Sequence, residues 1–274
     1  MTYRTILVQL DVESPVTPRL MFGMVLADRF EADIIAFAAA EVPFVVSDED
    51  GMGAGELLQQ KTEQIGERLK AMREEFLGVV GDSERFAWRG EVGNPANLVA
   101  LNARAADLIV TGNPNPDLGP GRHATIDPSS LILSAGRPVL FAADDLRPVQ
   151  AKRVLLAWKD TREARRAVAD SMPFLTEAEE VVVTTIVQGD QKAERDNAAD
   201  VVRFLMRHGA KARADILGTG TTEVEDALSR IAQSVGADLI VSGAYGHSRL
   251  RQWVFGGVTR SLLSDGSLHR LMSN

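Results

Sequence analysis

The heptapeptide ADLIVTG at residues 106–112 recurs as ADLIVSG at 237–243, identical at six of seven positions and displaced by 131. Such repetition restricts the chain to architectures that use one supersecondary unit twice. The opening runs repeat too, since RTILVQLD at 4–11 has its counterpart in RVLLAWKD at 153–160, about 148 positions on. A chain of 274 residues has room for two domains of about 100–150 residues each. The repeats place them at 1–145 and 151–274, with DDLRPVQA, residues 144–151, as the linker. The first half is longer by roughly 17 residues. Most of that excess falls in PFVVSDEDGMGAG, 43–55, a surface loop or a lid over a ligand site.

Within each half, strand-like and helix-like segments alternate. The continuous apolar runs IIAFAAA, DLIVTG, VVVTTIV and DLIVSG suit strands buried on both faces, as in a parallel sheet. Leu58, Ile65, Leu69, Met72 and Phe76 form one helical stripe, and Val224, Leu228, Ile231 and Val235 another, both expected to face the core. Thr222 with Glu225 makes a capping box, while Asn94-Pro95 and Asp127-Pro128 each set a cap residue before a first-turn proline. This alternation predicts an α/β fold of two tandem doubly wound parallel sheets with right-handed crossovers.

Composition removes several function classes. The net charge is −8, with 13 basic against 22 acidic residues up to Pro148 and 17 against 16 beyond it. Clustered phosphate neutralisation is therefore missing, and no nucleic acid partner is expected. No apolar run approaches the ~18 residues of a membrane span, so no membrane partner is expected. The start, MTYRTILVQLD, enters a strand pattern directly, which makes the cytoplasm the expected address. Zero cysteines exclude thiolate chemistry. The four histidines, His123, His208, His247 and His269, are too dispersed for a metal site. Neither a GxSxG elbow nor a GxxxxGK(S/T) loop is present, so no catalytic residue is assigned.

In an open parallel sheet, ligands bind beyond the carboxyl ends of the strands, where strand order reverses. After DLIVS the second half continues GAYGHSRLRQWVFGGVTRSLL, with Gly243, Gly246, Gly256 and Gly257 flanking a nine-residue stretch. Glycine lets a bulky anion approach backbone N–H groups that side chains would screen. A helix beginning near Val258 would aim its free N–H groups at the same place, and Ser248 and Thr259 could add hydroxyl donors. Arg249, Arg251 and Arg260 read more readily as solvated surface, and Trp158, Trp253 and Phe255 as packing residues.

The apolar first strand ending in a polar residue, then DLIV(S/T)G, then GxxGx9G before a helix, resembles the universal stress protein family, twice over nearly the whole chain. The resemblance implies five-stranded parallel sheets of Rossmann-like, adenine nucleotide alpha hydrolase-like form. It also implies ATP, with magnesium accompanying it, bound between first and fourth strands. The family's glycines fall on Gly243, Gly246 and Gly256, while its next position, usually Ser or Thr, is Gly257 here. Its first-strand aspartate falls on Lys159, which cannot accept a ribose hydrogen bond but can meet a phosphate as a point charge. Asp160 is the neighbouring substitute.

The first half departs the other way. Asp11 stands where the family's aspartate belongs, yet NPNPDLGPGRHATIDP has no glycine motif, and Pro114, Pro116 and Pro120 remove backbone donors. Asp11 reads as a turn-capping residue. Three functions stay open: a stress-response module binding adenine nucleotide through the second half, a nucleotide-free scaffold, and a slow ATP hydrolase. The resemblance further implies pairing of the two domains through PVLF at 138–141 and HRLM at 269–272, with a homodimer as a further assembly.

Overall fold

The structure is a computed structural model that describes residues 2–42, 54–113, 126–186, 191–217, 224–245, 262–263 and 266–274. The first half runs β1 (Thr5–Leu10), α1 (Val16–Phe30), β2 (Asp33–Ala40), α2 (Ala54–Val80), β3 (Phe86–Val92), α3 (Pro95–Asn102), β4 (Leu108–Thr111), α4 (Pro128–Ala135) and β5 (Val139–Phe141). The second runs β6 (Arg153–Ala157), α5 (Arg162–Glu177), β7 (Glu180–Ile186), α6 (Gln191–Arg207), β8 (Ala212–Leu217), α7 (Val224–Val235), β9 (Leu239–Gly243) and β10 (His269–Ser273).

The two expected sheets are one. Its order is β3, β2, β1, β4, β5, β10, β9, β6, β7, β8, so each half has the same doubly wound topology and they meet at β5 and β10. That joint is antiparallel, with Leu140 opposite Leu271, while the pairs within each half are parallel. PVLF and HRLM thus close each other's edges.

One face of the sheet is covered by α1, α2, α5 and α6, the other by α3, α4, α7 and Leu262–Leu263. The first core is continuous across the joint. Tyr3 and Phe30 of the first half stack edge-on at 5.0 Å, and Phe30 meets Phe174 of the second at 5.1 Å. Tyr3 also donates its hydroxyl to Asp170 O at 2.6 Å. Arg29 donates to Val149 O at 2.8 Å and pairs with Glu177 at 2.9 Å, so the linker is pinned between the halves.

Local chemistry follows the expected caps. Asn94 accepts from Asn97 N–H and Asp127 from Ser130 N–H, each ahead of a proline in the first turn. Asp11 Oδ1 accepts from Glu13 N–H at 2.8 Å, closing the turn after β1. Thr222 of the expected capping box lies outside the described residues.

One packing expectation fails. Leu69, Met72 and Phe76 are buried, but Leu58 is 44% exposed. With 27 residues α2 is about 40 Å long, more than the strands it covers, and its first turns extend past the sheet.

The joint carries polar residues that the HRLM run alone would place at a surface. Val139 and Arg270 occupy equivalent positions, as do Pro138 and His269, yet His269 and Arg270 are each only 1% exposed. Arg270 donates to Leu262 O at 2.6 Å and to Asn113 Oδ1 at 2.7 Å. His269 accepts at Nδ1 from Ala143 N–H at 3.0 Å and lies 5.5 Å from the Phe22 ring. Burial, reinforced by the Arg147 charge, lowers its pKa to about 4.

Candidate functional site

Strand register defines which residues of the two halves correspond. Leu108 pairs with Ile6 and its repeat partner Leu239 pairs with Val154, so Gln9, Leu10 and Asp11 correspond to Ala157, Trp158 and Lys159. Lys159 therefore does stand in the position of Asp11. In both halves strand order reverses between the first and fourth strands, β1 and β4 or β6 and β9. The crevice at their carboxyl ends is the switch point.

In the first half this crevice is closed by its own side chains. Thr111 donates to Gln9 Oε1 at 2.8 Å, and Arg19 of α1 donates to Gln9 Oε1 at 3.1 Å and Gln9 O at 3.2 Å. The Arg19 guanidinium lies where a side chain on Gly112 would begin, with Nη2 2.2 Å from that Cβ position. Burial holds Arg19 below the usual arginine range, while Asp11 acts in the opposite direction.

The second half is built differently at the same level. Thr184, Ala157 and Ser242 sit side by side on β7, β6 and β9, facing the α7 layer. On the other face, Trp158 and Ser273 flank Gly243. The Thr184, Ser242 and Ser273 hydroxyls and the Trp158 indole nitrogen are buried and have no hydrogen-bond partner among the described residues. Their first-half counterparts are Phe37, Thr111, Ala142 and Leu10, three apolar side chains and one hydroxyl already bonded to Gln9. A buried orphan polar group costs about 1–3 kcal/mol, so four at one level form a site with unused hydrogen-bonding capacity. Ala157, between Thr184 and Ser242, is only partly buried.

Of the residues expected to hold a nucleotide, Gly243, Lys159 and Asp160 are described, whereas Gly246, Ser248, Gly256, Gly257, Val258 and Thr259 lie outside the described residues. Lys159 is exposed at the crevice rim and has no ion-pair partner among the described residues. Asp160 is taken by Arg165, whose Nε and Nη2 donate to Oδ1 at 3.0 and 2.5 Å. Gly243 serves packing: a Cβ there would lie 2.5 Å from Ala164 N and 2.6 Å from Glu163 C. Its need for glycine comes from the first turn of α5, which Thr161 caps through Ala164 N–H.

The four orphan groups were missed in the sequence, although VVVTTIV carried a signal in its two threonines. Of the two described histidines, His269 is consumed by the joint and His208 bonds Phe204 O within α6 and its end. Among the described residues no group of three His, Asp or Glu could hold a metal.

Fold and site together define a tandem doubly wound α/β protein whose two switch points are built from different side chains. Residues 133–267, from the end of α4 to the edge of β10, match the model of the universal stress protein family, and that stretch of the chain belongs to it. A universal stress protein from Archaeoglobus fulgidus DSM 4304 superposes with a TM-score of 0.72 over 98% of this chain and 96% of its own, at 12% identity. A functionally unknown protein from Pseudomonas aeruginosa PAO1 gives 0.59 over 99% and 92%, at 16% identity. These likenesses establish the fold. No curated protein sequence matches the chain. Among the described residues no helix is long and apolar enough to cross a membrane.

Proposed function

We propose that the chain is a cytoplasmic stress-response binding module, with domains at 1–145 and 151–274, whose second domain takes an adenine nucleotide, ATP. The observation that carries this reading is the contrast between the switch points. The first is filled by Arg19, Gln9 and Thr111, while the second holds four buried polar groups, two on each face of the sheet, that have no partner among the described residues. A purine and ribose present donors and acceptors along their edges, which suits hydroxyls on both sides of Ala157. Lys159 supplies a cation for phosphate. The loop bearing Gly246, Gly256, Gly257, Ser248, Val258 and Thr259 would complete the cradle, and any magnesium would ride on the phosphates.

Thr184→Val tests this assignment. Removing an orphan hydroxyl at constant shape should stabilise the ligand-free protein by about 1 kcal/mol in urea denaturation and weaken ATP about tenfold in titration calorimetry. A destabilised variant with unchanged ATP affinity would show that the hydroxyl serves the fold alone.

A further inference from the structure

The chain leaving β9 is held by the other half of the molecule. Tyr245, two residues past Gly243, has φ of 61°, a left-handed conformation unusual for a side chain of its size. Its hydroxyl lies 2.7 Å from Ser129 Oγ in the first turn of α4. Asp127 caps that same turn through Ser130 N–H, so Ser129 is presented by an anchored helix end. The arrangement is reciprocal, because Asn113, two residues past β4, receives Arg270 of β10. Each strand-to-loop exit at a switch point is thus pinned by the opposite half.

We infer that Ser129 is a positioning residue for the second-half ligand site, and that the first half acts on ATP binding through the Ser129–Tyr245 contact. The inference rests on the nucleotide reading given above. A bulky non-glycine residue at positive φ is strained and persists where surrounding contacts over-determine it. The phenol contact supplies that constraint, which fixes the direction in which the backbone departs from Gly243. Ser129 touches no ligand in this scheme. Loosening it leaves Thr184, Ser242 and Lys159 in place and lets the exit of β9 relax from the ligand-binding geometry.

The experiment is ATP titration calorimetry on the full chain carrying Ser129→Ala, Tyr245→Phe, both together, Ser129→Thr, or Ser134→Ala. Ser129→Ala and Tyr245→Phe should each weaken ATP about fivefold, with the double variant no weaker than either, since both remove one contact. Ser129→Thr keeps the hydroxyl and should retain wild-type affinity. Ser134 bonds Ser130 O on the same helix without reaching Tyr245, so its loss should leave ATP affinity unchanged. Wild-type affinity in Ser129→Ala, or additive losses in the double variant, would overturn the inference while leaving nucleotide binding intact. A wild-type chain that binds no ATP would overturn both.

Discussion

Replacing Gly243 by valine is expected to destabilise the chain by about 3 kcal/mol or more, read as a fall in the urea midpoint at unchanged slope. The added Cβ would meet backbone, 2.5 Å from Ala164 N and 2.9 Å from its Cα, and backbone in a capped first turn cannot step aside as a side chain can. Left-handed strain plays no part, because Gly243 is absent from the positive-φ glycines. The repeat provides its own control. At Gly112 the atoms nearest the new Cβ belong to the guanidinium end of Arg19 and not to backbone, so Gly112→Val should cost less than Gly243→Val. Equal stabilities for Gly243→Val and wild type, with only ATP affinity lost, would return Gly243 to a purely phosphate-binding role.

Acid should loosen the joint between the halves. His269 titrates at about 4 in the fold against an ordinary 6.5, so between these values the unfolded chain binds a proton that the native chain refuses. Stability contributed by neutral His269 is complete above about pH 6.5, falls through the window, and reaches a loss of about 3 kcal/mol near pH 4. The cause is structural. A protonated Nδ1 would donate toward Ala143 N–H, which now donates to it, and would place a third cation beside Arg270 and Arg147. His269→Gln keeps an acceptor but does not titrate, and the difference between its urea stability and that of wild type should shrink to nothing or reverse as pH falls from 7 to 4. Parallel pH profiles for the two proteins would remove His269 from this role.

Much of the architecture was written in local pattern. The ADLIV repeat, the four buried apolar runs and the caps at Asn94 and Asp127 each reflect an interaction within a few residues of itself, and each forms as expected. Lys159 was located correctly because strand register preserves the offset of the repeat. The joint was legible only through family resemblance, since HRLM is polar and nothing local says that His269 and Arg270 are buried against the other half. Leu58 was misread because periodicity reports the face of a helix and not where the sheet beneath it stops. The packing of Gly243 on α5, set by a connection of four residues after β6, had no signal in the local pattern. The orphan groups arise from lateral pairing of β7, β6, β9 and β10, which brings together residues up to 115 positions apart, Trp158 and Ser273.

The asymmetry of the two switch points is the central claim, and binding stoichiometry tests it most directly. Calorimetric titration of the full wild-type chain with ATP at up to millimolar concentration, joined to mass spectrometry of nucleotide released from freshly purified protein, should find one adenine nucleotide per chain. No released nucleotide and no binding heat would contradict an open second site, and two nucleotides per chain would contradict a first site closed by Arg19.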